Sequence, residues 1–159
     1  LANRELTDDA VGALTTDEIL KMTVDENIAS MNNDDLEYIG SSLVCRDGTD
    51  MKLYFINKNS LTLDEILQKY NINVTNEKTG RLVSDDFSAE LDGELFCIRI
   101  KSILPKLLST DYTITFSNSG VSSYGVVGPY SYIRRAVQGD DIQLRNLCKA
   151  LYLYGRAAS

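Results

Sequence analysis

Histidine and tryptophan are absent from the 159 residues, proline occurs twice and cysteine three times. Without histidine the chain lacks the commonest general base, every Ser-His or Cys-His nucleophile pair and the imidazole ligands of most zinc and iron sites. Catalysis would have to rest on carboxylates, lysine or tyrosine. Nothing approaches the ~20 consecutive apolar residues that span a bilayer. The longest candidate, Asn146 to Ala158, is interrupted by Lys149, Gly155 and Arg156. Basic residues are outnumbered, 16 against 23 acidic, for a net charge of −7 and a pI near 4.6. Such a surface repels phosphate backbones and anionic headgroups, so the expected partners include no nucleic acid and no membrane.

The three cysteines, Cys45, Cys97 and Cys148, are widely spaced and form no CxxC pair, which excludes zinc-ribbon and thioredoxin-like arrangements. An odd count leaves at least one thiol free. They are expected to be small buried core residues, with a Cys45–Cys97 bridge between neighbouring strands as the alternative. No metal and no cofactor are expected.

What is present is ordinary globular material, 43% hydrophobic and 25% charged. A chain of this length buries roughly two-thirds of its unfolded surface and needs neither metal nor disulfide to fold. Leu1 stands where a native start would have Met, so the chain is expected to be a fragment. Texture divides it near residue 36. Residues 1–36 form an acidic lead, a linker with one short helix opened by a Thr15–Glu18 capping box and continued by Ile19, Leu20 and Met22. A second short turn is expected to begin at Thr7.

Residues 37–159 read as short apolar runs punctuated by turns, the pattern of strands. Some seven strands are expected among the runs Ser41 to Arg46, Met51 to Ile56, Ile72 to Thr75, Arg81 to Val83, Phe87 to Leu91, Leu95 to Ile100, Tyr112 to Phe116 and Val121 to Val127. Asp47-Gly48 signals a hairpin between the first two. Leu61 to Tyr70 fits a short helix or a strand. Pro129 suits the first position of a helix through Tyr130, Ile133 and Val137. Asp140 or Asp141 then caps a long helix whose Leu144, Leu147, Cys148, Leu151 and Tyr154 make one apolar stripe, expected to face the sandwich or a neighbouring domain. The fold class is mainly β: an antiparallel, immunoglobulin-like β-sandwich with a short N-terminal helix and C-terminal helices packed on it. Leu95, Ile98, Ile100, Ile114 and Phe116 are expected among the most buried side chains.

Candidate chemistry is sparse. The pairs Asp8-Asp9, Asp34-Asp35, Asp85-Asp86 and Asp140-Asp141 invite a two-carboxylate reading. Strand neighbours point to opposite faces, however, so solvated turns or N-caps are expected. Asp47-Gly48-Thr49-Asp50 lacks the alternating ligands of a calcium loop. Gly120, Gly125 and Gly128 form neither a dinucleotide fingerprint nor a P-loop. The remaining candidates are aromatic: Tyr124, Tyr130 and Tyr132, with Arg134 just beyond, can stack on a sugar or anchor a protein partner. The structural reading keeps Tyr130 and Ile133 as pins between helix and sheet.

The segment Tyr38-Ile39-Gly40-Ser41-Ser42-Leu43-Val44-Cys45-Arg46-Asp47-Gly48-Thr49-Asp50-Met51-Lys52-Leu53-Tyr54-Phe55 resembles the opening of extracellular modules from large surface and secreted proteins of gut Gram-positive, Ruminococcus- or Clostridia-like bacteria. Asp111-Tyr112-Thr113-Ile114-Thr115-Phe116, Tyr130-Ser131-Tyr132 and the closing helix from Asn146 to Ala158 are similar to later parts of that module, the closing helix most specifically. The chain departs from the pattern at Cys45 and Cys148. The resemblance implies a secreted or cell-surface accessory module without catalytic residues, active in adhesion, spacing or assembly through protein contacts. A carbohydrate-binding accessory domain of a polysaccharide-degrading system is the alternative, although tryptophan, the widest stacking face, is missing. The partner is expected to be a protein or a glycan, and the isolated fragment a monomer.

Overall fold

A computed structural model describes residues 8–22, 31–45, 48–83 and 86–158, with no account of the side chains of 8–14. The turn expected at Thr7, and Asp47 and Asp85, lie outside the described residues. The described residues form eight strands and four helices: α1 (Asp8–Lys21), β1 (Leu36–Cys45), β2 (Thr49–Asn57), α2 (Leu63–Lys69), β3 (Asn71–Asn76), β4 (Arg81–Leu82), β5 (Phe87–Asp92), β6 (Leu95–Ile103), β7 (Tyr112–Asn118), β8 (Val121–Val127), α3 (Pro129–Ala136) and α4 (Ile142–Ala158). A 3-10 turn, Pro105–Leu107, joins β6 to β7.

The strands form two four-stranded sheets, β1-β2-β6-β5 and β4-β3-β7-β8, and every ladder is antiparallel. Period-two alternation explains their faces. Met51, Leu53 and Phe55 on β2, Phe96, Ile98 and Ile100 on β6, and Ile114 and Phe116 on β7 are all buried. The two inner faces meet at Phe55, whose ring stands edge-on to Phe116 at 5.4 Å and tilted against Phe96 at 5.9 Å. The architecture is therefore a sandwich-like pair of antiparallel sheets. Leu95, at the start of β6, is only half-buried.

The ambiguous segment before β3 is helical because Thr62 and Glu65 close a capping box, with Glu65 N–H to Thr62 Oγ1 at 3.2 Å and Thr62 N–H to Glu65 Oε1 at 3.1 Å. Pro129 occupies the first turn of α3, and Asp141 Oδ1 accepts the Leu144 N–H at 3.0 Å to start α4.

Two sequence expectations fail in the helices. The Thr15–Glu18 pattern does not open α1, because the helix already runs from Asp8 and Thr15 is buried in its interior. The preceding Ala10, Val11, Ala13 and Leu14 continue the helix upstream, and a Thr-x-x-Glu pattern caps only when its threonine lies outside. The α4 stripe is also narrower than expected. Cys148, Tyr152 and Gly155 are buried and Leu144 and Leu151 half-buried, but Leu147 is 50% and Tyr154 63% exposed. The cause is the close approach at Gly155, where a Cβ would sit 2.7 Å from Leu108 Cδ1 and 3.0 Å from the Pro105 carbonyl. The helix thus leans on the 3-10 turn along one edge and turns Leu147 and Tyr154 outward.

α1, α3 and α4 enclose a second, smaller core of Ile19, Ile133, Val137, Cys148 and Tyr152. Leu43, Tyr130, Tyr132 and Leu151 touch both cores and join the helices to the sandwich. Among the described residues no helix is long and apolar enough to cross a membrane.

Candidate functional site

The strand register decides the expected Cys45–Cys97 pairing. Cys45 stands opposite Thr49, and Thr49 opposite Ile103, six residues beyond Cys97 on β6. At ~3.4 Å per residue that offset is ~20 Å, far beyond disulfide reach. The faces differ as well. Cys45 shares the face of Leu43 and Met51, whereas Cys97 shares the outer face of Tyr54 and Glu90. All three thiols are free; Cys97 and Cys148 are buried as expected and Cys45 is exposed.

β1 is an edge strand; α3 lies beside it, and α4 packs on α3 and on the 3-10 turn. Two clefts open between them. One, about 430 Å³, is lined by Tyr38, Ile39 and Ser41 of β1 and by Tyr132, Arg135 and Leu144 of the helices. The second, about 480 Å³, is lined by Cys45, Ile103, Leu104, Leu151 and Tyr154 among others. Arg135 Nη2 donates to Ser41 Oγ at 3.1 Å and ties α3 to the strand edge. Leu144 belongs to the first cleft and Leu151 and Tyr154 to the second, so one side of α4 borders both. Between these residues along the helix lies exposed Leu147.

A third cleft, about 460 Å³, lies between the segment before β1 and the β7–β8 hairpin. Its lining is mixed: Asn32, Asn33, Asp34, Asn118, Ser119 and Ser122 stand beside Tyr70, Phe116 and Val121. Asn32 Oδ1 accepts the Tyr38 N–H at 2.8 Å, and Asn33 Oδ1 accepts those of Asp35 and Leu36 at 3.0 and 2.9 Å. These bonds fix both amide groups with their NH2 ends turned away from the backbone they cap.

Behind this cleft is a feature that sequence reading missed. Asp35, expected as a solvated turn residue, is 3% exposed. Its carboxylate accepts from the Tyr70 hydroxyl, from Asn59 Nδ2 at 2.6 Å and from Lys69 Nζ at 2.6 Å. The Lys69 bond, then those of Tyr70 and Asn59, hold its pKa down at about 2 from 3.8. Burial, with the same carboxylate, pushes Tyr70 well above the usual phenol range. The available signal was Lys69-Tyr70 at the end of a helix whose capping box was readable. Nothing in the sequence placed that end beside Asp35, 35 residues earlier. With three donors on it, this carboxylate is a structural fastener. Asp50 acts likewise: burial opposes its ionisation, but the Ser102 N–H at 2.8 Å and Arg99 Nε at 2.7 Å outweigh it and lower the pKa. Among the described residues no group of three or more His, Cys, Asp or Glu side chains could hold a metal ion.

Of the four candidate binding residues, Tyr132 alone lines one of these three clefts. Tyr132 reaches the first cleft, half-buried, and its burial raises the hydroxyl pKa. Tyr130, two residues away and therefore on another side of the helix, stacks on Tyr152 at 5.4 Å and 25°. Arg134 Nη2 donates to the Leu20 carbonyl at 3.3 Å, at the C-terminal end of α1, where a cation suits the helix dipole. Tyr124 is 49% exposed on β8, opposite Thr115.

No protein-family model matches the chain, and no curated protein matches it.

Proposed function

We propose that this chain is a non-catalytic accessory module of a secreted or cell-surface bacterial protein, built on an immunoglobulin-like sandwich and acting through protein contacts. The strand order supports the immunoglobulin-like part. Lettered in chain order, the sheets read A-B-E-D and C′-C-F-G, which matches the constant-type pairing with one added strand. The observation that carries the contact reading is the ridge on α4. Leu147 and Tyr154, seven residues apart and so on one side, are largely exposed beside half-buried Leu144 and Leu151. Exposed Ile39 and Leu104 belong to the two clefts that flank the ridge. Apolar side chains gathered beside clefts suit a protein partner better than a solvated role. The net charge of −7 argues against nucleic acid.

The third cleft supports a second reading, a carbohydrate-binding accessory domain. The fixed Asn32 amide, the Asp34 carboxylate and serine hydroxyls suit a ligand rich in hydroxyls, which both donate and accept.

One screen separates the two. The purified domain is tested against purified extracellular matrix proteins and against starch, xylan, cellulose and mucin glycans. Saturable binding to a protein, weakened tenfold or more in a Leu147→Asp, Tyr154→Ser variant with an unchanged melting curve, is expected. Glycan binding that is lost on Asn32→Ala, or on alanine at Tyr124, Tyr130 or Tyr132, would replace the protein-contact reading. Protein binding indifferent to the double variant would overturn the ridge as the contact surface.

A further inference from the structure

Cys45 and Cys148 are 103 positions apart in the chain but have neighbours in common at the border between the sandwich and the helices. On β1, the partners of Leu43 and Cys45 are Met51 and Thr49, both buried, so the Cys45 side chain leaves the strand on the core-facing side. Leu43, two residues away on that face, packs against the small core that contains Cys148. On α4, Leu151 follows Cys148 by three residues and lies on the same side of the helix. Leu151 and Cys45 line one cleft. The electrostatics agree with this placement. Cys148 is raised to about 11, chiefly by burial, and the one charge that adds to the rise is Cys45. The hydroxyl of Tyr132 feels both sulfurs. Cys97, in contrast, is on the outer face of β6 and out of reach of both.

We infer that Cys45 and Cys148 are a cross-linking site: a disulfide between them fastens α4 to the edge strand of the sandwich. The cross-link forms by thiol–disulfide exchange with a small disulfide such as oxidised glutathione. The exposed Cys45, as thiolate, attacks one glutathione sulfur and expels the other glutathione as thiolate. Cys148 then loses its proton and attacks the Cys45 sulfur, releasing the second glutathione. Two cysteine thiols are oxidised by two electrons, one glutathione disulfide is reduced to two thiols, and the protons pass from the cysteines to the glutathiones. Access sets the order, because Cys148 is 2% exposed and Cys45 is open to solvent.

The test uses the whole chain, first fully reduced and then equilibrated with a glutathione redox buffer. The intact mass is expected to fall by about 2 Da, for two hydrogens, with a linked peptide pair containing positions 45 and 148 in a non-reducing digest. The cross-linked form is expected to melt about 10 °C higher, since the bond closes a loop of roughly 100 residues. Cys97→Ser keeps the cross-link. Cys148→Ser stops at the first step and retains one glutathione on Cys45. A stable glutathione adduct on Cys45 of the unaltered chain overturns the assignment. So does a disulfide-linked dimer through Cys45, a bond involving Cys97, or three thiols that remain free.

Discussion

The two cores are built differently. The sandwich core gathers three phenylalanines, Phe55, Phe96 and Phe116, and the inner faces of six strands held in fixed register. The helical core has five buried residues, from α1, α3 with its C-cap Val137, and α4, and shares Leu43, Tyr130, Tyr132 and Leu151 with the sandwich. Strands bury every second residue along their whole length. The helices bury a narrow strip and leave apolar side chains such as Leu147 and Tyr154 outside. Stability is therefore expected to reside in the sheets, and the adaptable surface and the reactive thiol at their helical border.

That division is broken most directly in the sandwich. Phe116→Ala removes a ring that touches Phe55 and Tyr70 and is expected to cost about 3–5 kcal/mol, read from denaturant titration. Ile133→Ala, the matching truncation in the helical core, is expected to cost less, about 2 kcal/mol, because its surroundings collapse more readily. An equal or larger loss at Ile133 would abolish the distinction.

The junction between the regions is tested at Gly128, which joins β8 to α3. A Cβ there would lie 2.5 Å from Asp111 Oδ1 and 2.8 Å from the Thr110 carbonyl, and a backbone oxygen cannot swing aside. Gly128 also exchanges hydrogen bonds with Ser131 Oγ, which accepts its N–H at 3.1 Å and donates to its carbonyl at 2.7 Å. Gly128→Ala is expected to cost about 1–3 kcal/mol by overpacking, measured as a fall in the denaturation midpoint. The backbone is extended here, so the cost is one of space.

A smaller effect, confined to the sandwich side, comes from Asp35. Its pKa is lowered from 3.8 to about 2 in the fold, so its contribution is fully present above pH 3.8 and fades as pH falls toward 2. Across that window the domain is expected to lose about 1–2 kcal/mol that Asp35→Asn does not lose. Parallel acid-unfolding curves for the two proteins would sink the assignment.

These cases also show what the sequence could and could not convey. Alternation made the strands legible, from Met51 to Ile56 and from Tyr112 to Phe116, and local chemistry marked Pro129 and Asp141 as helix starts. Such signals are written within a few residues. Asp35 on Tyr70, the pairing of Asp50 with Arg99 and the approach of Gly155 to Leu108 bring together positions 35, 49 and 47 residues apart, and no local pattern encodes them. The same limit applies to the candidate site. Tyr124, Tyr130 and Tyr132 cluster in sequence, yet a strand and two sides of a helix send them to different surroundings.

The smallest expected effect belongs to Leu147. Read as part of an apolar stripe, Leu147→Asp would place a charge in a core and unfold the domain or detach α4. In the fold Leu147 is 50% exposed, while Cys148, Tyr152 and Gly155 carry the packing. An aspartate there stays in water, so the expected cost is within about 0.5 kcal/mol, and the melting temperature should move by no more than about 2 °C. Cys148→Asp is the matched control, since it puts the same charge one residue along into the small core. If both variants unfold alike, α4 buries its full stripe and the helical region is as well packed as the sandwich. If only Cys148→Asp unfolds, the ridge is free for a partner, and Leu147→Asp becomes the clean probe of binding, because it alters the surface and leaves the fold in place.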